Sequence, residues 1–206
     1  MQTRIFKYNL VDKNIELSPV ILKSTLAAQT GTEESGLYEL PDGRWVCYYR
    51  TNTNWCLYRI SDDNGVTWGP ESRLFRATWT MSAVKKLNAL TSKLKPIYVA
   101  VVNEWTTSDS SWYNNTPSQR RYLSLMVSVD GINFSKLGDI YRDNGKYAAF
   151  EPTISEVGGN ILIGWSTMPP SMGGNPPSQG GCLFNTVIPL DRVLNWVNGY
   201  HYDISK

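Results

Sequence analysis

Two stretches of this 206-residue chain carry residues whose types and spacing could do chemistry. The first, ESGLYELPDGRWVCYYRT from Glu34 to Thr51, begins on a glutamate and reaches Arg50 just before its end. The second, EPTISEVGGNILIGWST from Glu151, keeps the leading glutamate and has Ser166 in the place of Arg50. Both repeat a glutamate five residues on, Glu39 and Glu156. A guanidinium fork pairs bidentately with a carboxylate, and a carboxylate beside a phenol can take its proton. Glu34, Arg50 and Glu151 therefore suit recognition of an acidic group or general-base work. They equally suit a structural ion pair or solvated strand ends. A third stretch, EWTTSDSSWYNNTPSQRR from Glu104 to Arg121, offers Trp105, Trp112 and Tyr113 as flat faces for stacking on sugar rings, beside Asn, Ser and Arg donors for hydroxyls. It also reads as a solvated insertion.

Composition narrows what these residues could serve. Lys+Arg 20 against Asp+Glu 18 gives a net charge of +2, and no basic run goes beyond a pair such as Arg120-Arg121, so nucleic acid is a poor partner. No apolar stretch approaches the roughly 20 residues of a membrane span, and MQTRIFKYNL lacks the apolar core of a leader, so the chain reads as soluble and without membrane insertion. Cys47, Cys56 and Cys182 make no disulfide framework, and with the single His201 they match no metal-site spacing. No metal and no cofactor is expected. The unusual feature is aromatic content, Trp 8 and Tyr 12, most of it suited to cross-strand packing.

The elements that must position these residues are strands. SDDNGVTWGP, Ser61 to Pro70, packs turn formers between WCLYRI and SRLF, and so connects a hairpin. KPIYVAVVNEW, RRYLSLMVSVD and SKLGDIYR repeat the plan, with SVDGINF as a shorter version of the same connection. The chain reads as one module over 1–206, with units at about 34–76, 80–142 and 147–206, and with 1–33 supplying N-terminal strands that pack on a terminal unit. Each unit is expected to hold four antiparallel strands. SAVKKLNALTSKLK has helical spacing at Val84, Leu87, Leu90 and Leu94, yet the repeat asks for a strand over Met81–Leu87. PLDRVLNWVNG reads as a short C-terminal helix stopped by Gly199. The fold class is all-β, built of propeller-type four-stranded antiparallel blades, about three of them, with that helix at the end.

Ser61, Asp63, Gly65, Thr67 and Trp68 resemble the Asp-box of sialidases and other Asp-box β-propellers at all five signature positions; Ser128, Asp130, Gly131 and Phe134 form a looser second copy. The resemblance covers roughly residues 34 to 166. It implies a structural turn between the third and fourth strands of a blade, remote from the catalytic face. It also implies that Glu34 assists a nucleophilic tyrosine while Arg50 grips a substrate carboxylate, and hence a carbohydrate partner of sialic-acid type. A full sialidase has six blades, an Arg-Ile-Pro motif and three clustered arginines; here Arg4-Ile5 is followed by Phe6, and Arg50 alone is placed by a motif. Two readings stay open: a glycan-recognising or glycan-cleaving module, and a non-catalytic receptor-binding or assembly component of a phage tail fibre or virion. Either favours a secreted, cell-surface or virion-associated setting.

In a blade, the start of the first strand and the connection of strands two and three share one face. Glu34, Arg50 and Glu151 are expected there, with the loops 104–121 and 168–181; the turns at Ser61 and Ser128 are expected on the other face. Three blades leave two end faces, the last expected to expose Ile161, Ile163 and Trp165, so a homo-oligomer or the remainder of a longer parent chain is expected to cover them.

Overall fold

The computed structural model describes residues 3–25, 32–51, 53–78, 80–88, 96–104, 120, 122–142, 148–168 and 182–203. Within them, strands β1 (Thr3–Asn9) and β2 (Asn14–Leu22) form a hairpin. Strands β3 (Glu33–Glu39), β4 (Trp45–Arg50), β5 (Trp55–Ser61) and β6 (Ser72–Arg76) make a first four-stranded antiparallel sheet in chain order. A second follows the same plan with β7 (Ala83–Lys86), β8 (Tyr98–Asn103), β9 (Tyr122–Ser128) and β10 (Ser135–Arg142). The third contains β11 (Ala148–Val157), β12 (Asn160–Met168) and β13 (Cys182–Pro189), and the chain then enters helix α1 (Leu190–Asp203).

Local chemistry explains the hairpins. At Pro41-Asp42-Gly43 the Leu40 amide donates to the Arg44 carbonyl at 2.8 Å, and the Asp42 carboxylate accepts the Arg44 amide at 3.1 Å. Between β11 and β12 the two-residue loop Gly158-Gly159 has φ of 54° and 76°, the left-handed pair that a tight hairpin demands and glycine adopts without strain.

The sheets stack face to face, and the alternation of side chains shares the middle one between two cores. All six residues of β8 are buried. Tyr98, Ala100 and Val102 point to the first sheet, where they meet Tyr38, Val46, Tyr48, Cys56 and Phe75. Val99 and Val101 point to the third, where they join Ile161, Ile163 and Trp165 and the α1 residues Leu190, Val193 and Val197. On its outer side the first sheet lays Cys47, Tyr49 and Leu57 against Leu22 of β2. The Thr32 hydroxyl ties this hairpin down, accepting the Thr3 amide at 2.8 Å and donating to the Leu22 carbonyl at 3.0 Å.

Four expectations are corrected. The strand expected over Met81–Leu87 is confined to Ala83–Lys86, and it forms despite the helical period because β8 supplies a full antiparallel register, Ala83↔Val101 to Lys86↔Tyr98. The third unit has three strands among the described residues: α1 leaves the sheet and puts Val193 and Val197 into the core between sheets two and three. Gly199 does not stop α1, which continues to Asp203. Finally, Ile161, Ile163 and Trp165 face inward, with exposures of 0%, 0% and 7%. The outer face of the third sheet carries Val157, Leu162, Leu183 and Val187 instead.

Candidate functional site

Glu34 and Glu151 share one unusual backbone feature. Each lies inside a strand, yet has a left-handed φ, 39° and 50°. Each coincides with a break in register, between Glu33 and Ser35 in one case and between Phe150 and Thr153 in the other. Among the described residues the other non-glycine residues with positive φ, Lys13, Asn54 and Asn64, lie in connections between strands, where such a φ is ordinary. A left-handed residue other than glycine costs about 1–2 kcal/mol, and a bulge re-aims a side chain that a regular strand would bury or turn away. The match between the two sheets is close: Glu33 pairs with Arg50 and Phe150 pairs with Ser166, each just ahead of the bulged glutamate.

The bulge also explains why two successive glutamates reach one arginine. Arg50 ends β4, with its Nη1 2.6 Å from Glu34 Oε2 and its Nη2 3.3 Å from Glu33 Oε2. The Arg50 and Glu33 side chains are mostly buried, whereas Glu34 keeps 41% of its side-chain exposure. Arg120 completes the group. Its guanidinium sits 4.1 Å above the Phe150 ring, a cation–π contact directly beside Glu151 in sequence. Burial pushes its pKa down to about 10, and the Arg50 charge adds to that, while Glu34 and Glu151 pull it back up. Arg120 thus feels Arg50, Glu34 and Glu151 at once, a half-buried cation among residues from two different sheets.

The strand carrying Glu151 is fixed from the middle sheet by Asn103, which is fully buried at the end of β8. Its amide donates to the Ala149 carbonyl at 3.2 Å, its side-chain oxygen accepts the Thr80 hydroxyl at 3.0 Å, and its backbone carbonyl accepts the Thr78 amide at 2.9 Å. This staple holds the approach to the Phe150-Glu151 bulge. Neighbouring Glu104 accepts from Lys136 at 2.5 Å and from Ser124 at 3.0 Å, tying β8, β9 and β10 together.

The turns singled out by sequence lie at the opposite end of the sheets. Glu33 faces Arg50 at one end of the first sheet, and Glu39, Trp45 and Ser61 align at the other. In the first turn Ser61 Oγ donates to Asp63 Oδ1 at 2.8 Å and accepts the Gly65 amide at 2.7 Å. Asp63 accepts the amides of Val66 and Thr67 and the Thr67 hydroxyl, and the Trp68 indole donates to the Gly65 carbonyl at 3.2 Å. The Thr67 hydroxyl and amide hold the Asp63 carboxyl down at about 2. In the second turn Ser128 Oγ donates to Asp130, which accepts the Ile132 and Asn133 amides and the Asn133 side chain; against the upward push of burial these keep Asp130 below its ordinary value. Gly131, at φ 78°, lies so close to Leu40 of the first sheet that a Cβ there would sit 2.8 Å from its side chain. Tyr38 donates to the Gly131 carbonyl at 2.6 Å, and Phe134 packs edge-on against Phe75. These turns close hairpins, and the second also locks two sheets together.

Glu34, Arg50 and Glu151 are therefore at one end of the stacked sheets. Trp105, Trp112 and Tyr113 lie outside the described residues, as does nearly all of the loop 168–181. Sequence reading missed Glu33, and took in Arg120 only among the unnamed donors of the long loop. The doubled Glu33-Glu34 at a strand start is the available signal for the bulge; Arg120 had only its place at the end of a long loop, just before β9. Among the described residues no cluster of His, Cys, Asp and Glu is arranged to hold a metal ion. Chemically, the group offers one partly exposed carboxylate braced by an arginine, a second carboxylate on a matching bulge, and a half-buried guanidinium that senses both. Such a set can bind hydroxyls bidentately and can hold or release a proton.

No protein-family model matches the chain, and none of the curated proteins does. Solved structures are similar in fold. The NanB sialidase of Streptococcus pneumoniae, in complex with 2-[(3-chlorobenzyl)ammonio]ethanesulfonate, superposes with a TM-score of 0.66 at 15% identity, over 93% of this chain and 28% of that one. The intramolecular trans-sialidase of Ruminococcus gnavus, in complex with oseltamivir carboxylate, gives 0.60 at 16% identity, over 87% of this chain and 36% of that one. The GH93 α-L-arabinofuranosidase of Fusarium graminearum, in complex with arabinobiose, gives 0.52 at 20% identity, over 91% and 54%. The chain spans about a third of the length of the two sialidases. At these identities the likeness shows the fold, an all-β arrangement of propeller blades of the kind found in glycoside hydrolases.

Proposed function

We propose that this chain is a carbohydrate-recognising module of a sialidase-like β-propeller, with its turns at Ser61 and Ser128 as Asp-boxes and its sugar site at the end of the sheets that carries Glu34, Arg50, Arg120 and Glu151. One observation carries the reading: two glutamates at matching positions of two sheets both sit on strained bulges, with a half-buried arginine sensing both. Strain maintained twice at one end of the fold supports a binding role better than a packing role. In this reading Glu34 and Glu151 accept from sugar hydroxyls, Arg120 and Arg50 donate, and Trp105, Trp112 and Tyr113 stack on the ring. In a glycosidase of sialidase type, Glu34 would further take the proton of a tyrosine nucleophile, and Arg50 would face the sugar carboxylate. A second reading, non-catalytic recognition, is favoured by the Arg50 geometry, because its two terminal nitrogens already engage Glu33 and Glu34.

Titration calorimetry with a sialoside and with arabinobiose, alongside turnover of a fluorogenic sialoside, tests both. Binding is expected to weaken about tenfold or more in Glu151→Gln and Arg120→Ala, the scale of one charged hydrogen bond. Arg50→Ala should abolish sialoside cleavage if cleavage occurs. Binding without turnover selects the second reading, and no binding of either sugar removes the proposal.

A further inference from the structure

Among the described residues the third sheet ends on an open edge. In the first two sheets the third strand is followed by a turn and a fourth strand that pairs with it, β6 on β5 and β10 on β9. Among the described residues nothing pairs with the far side of β13: the chain turns at once into α1, which packs inward with Val193 and Val197 between sheets two and three. The edge is long, straight and apolar. β13 holds one unbroken eight-residue register with β12, from Asn160↔Pro189 to Thr167↔Cys182, with no bulge to twist it away. Leu183 is 83% exposed and Val187 59% exposed on the same face. Exposed edges are ordinarily blunted by lysine, by an inward charge, by a bulge or by proline within the strand. CLFNTVIP has no charge, and its single proline is its last residue.

We infer that β13 is an association edge on which a second copy of this chain adds its own β13, antiparallel, to make a six-stranded sheet across a two-fold axis. The occupant is chosen by charge and parity. An edge built for a foreign charged segment would present the opposite charge, whereas an uncharged edge meets its own copy with no repulsion. In antiparallel pairing about a two-fold axis, directly opposite residues share a face, so their numbers have the same parity. An axis through Asn185, the middle residue of the outer face, therefore sets Leu183 against Val187 of the second copy, twice. Two exposed apolar side chains become cross-strand pairs, and the unpaired backbone groups of both edges are satisfied together. The two α1 helices stay on the inner faces, clear of the new contact. This inference does not rest on the proposed sugar site, although Leu183 lies in the same sheet as Glu151, across Ser166 from Phe150.

The test uses the whole 206-residue chain in three forms, with sedimentation velocity and amide hydrogen exchange at rising micromolar concentration. The unmodified chain is expected to dimerise, with concentration-dependent protection of the amides of residues 183–187. Leu183→Lys with Val187→Lys puts two like-charge pairs across the axis and should weaken the dimer at least about a hundredfold. Leu183→Lys with Val187→Glu makes two opposite-charge pairs in this register alone, and should restore it. Both positions of substitution are solvent-exposed, so unchanged melting curves are expected to accompany the changes in association. A monomer with unprotected β13 amides overturns the inference. So does a monomer whose β13 amides are protected at every concentration, which would mean that the chain covers its own edge. A dimer indifferent to both substitution pairs uses another surface and overturns it equally.

Discussion

Asp63 shows how much one carboxylate does when its partners are all local. It accepts the Val66 and Thr67 amides, the Thr67 hydroxyl and the Ser61 hydroxyl, so that a ten-residue connection between β5 and β6 is wired through one side chain. Those donors hold its pKa at about 2, below the ordinary carboxyl value of 3.8. A pKa depressed by folding contributes stability that is present above the unfolded value and is lost as pH falls through the folded one. The expected signature is a melting temperature that drops between about pH 4 and pH 2, and Asp63→Asn should flatten that acid slope while lowering the melting temperature by a few degrees at neutral pH. Thermal melts of both forms across that range check it. Affinity at the proposed sugar site should be unchanged, because Ser61 aligns with the end of the sheet opposite Glu34. Equal acid slopes in the two forms would mean that Asp63 is not the group whose protonation matters.

At the scale of elements, the decisive quantity is which way each strand faces. β12 reads NILIGWSTM, apolar at nearly every position of its first six residues, and only the structure separates Ile161, Ile163 and Trp165, which face the second sheet, from Leu162, which faces out. Ile163→Ala should therefore destabilise by about 2–5 kcal/mol, since it leaves a cavity between two sheets. Leu162→Ser should stay within about 0.5 kcal/mol, as an exposed position does. Chemical denaturation of the two variants measures the difference, and a comparable loss in both would contradict the facing. The contrast shows what was legible in the sequence. Strands bounded by Asx and glycine turns were readable because the turn chemistry is local: β4, β5, β8, β9 and β10 lie where the hairpin signals put them. The facing of an unbroken apolar run was not readable, because no polar residue marks the solvent side. The β7 segment misled in the other direction, its helical spacing outweighed by pairing with β8, a contact between residues some fifteen apart. Within the candidate site, Glu34, Arg50 and Glu151 were visible through the repeat, whereas Arg120 joins them only through the fold, at the end of a loop with no periodicity to announce it.

At the scale of the whole molecule, the stack of sheets has unlike ends. The middle sheet is covered on both sides, and the third shows Val157, Leu162, Leu183 and Val187 on its outer face. The first is capped by the β1–β2 hairpin. Leu22 fills the gap over Cys47, Tyr49 and Leu57; Thr32 bridges Thr3 and Leu22; Thr25 donates to Glu71, which also accepts the Tyr49 hydroxyl at 2.6 Å; and Arg59 donates to the Lys23 carbonyl at 3.1 Å. A separate two-stranded hairpin covering one end of the stack should open in a sub-global step, ahead of the core it protects. The cysteines report on that step because each is shielded differently. Cys182 is exposed, Cys47 lies under the hairpin, and Cys56 lies between the first two sheets. Burial pushes the Cys47 thiol up to about 12, so it should resist alkylation while the cap is on. In the unmodified chain Cys182 is expected to react quickly with iodoacetamide, and the other two slowly. Leu22→Asp, which places a charge where the cap must be dry, should speed Cys47 labelling by at least about tenfold while Cys56 stays at its original rate. Peptide mass mapping resolves the three sites. Equal acceleration at Cys47 and Cys56 would mean that the hairpin and the first two sheets open as one unit, and no acceleration at either would mean that the hairpin is not what shields the first sheet.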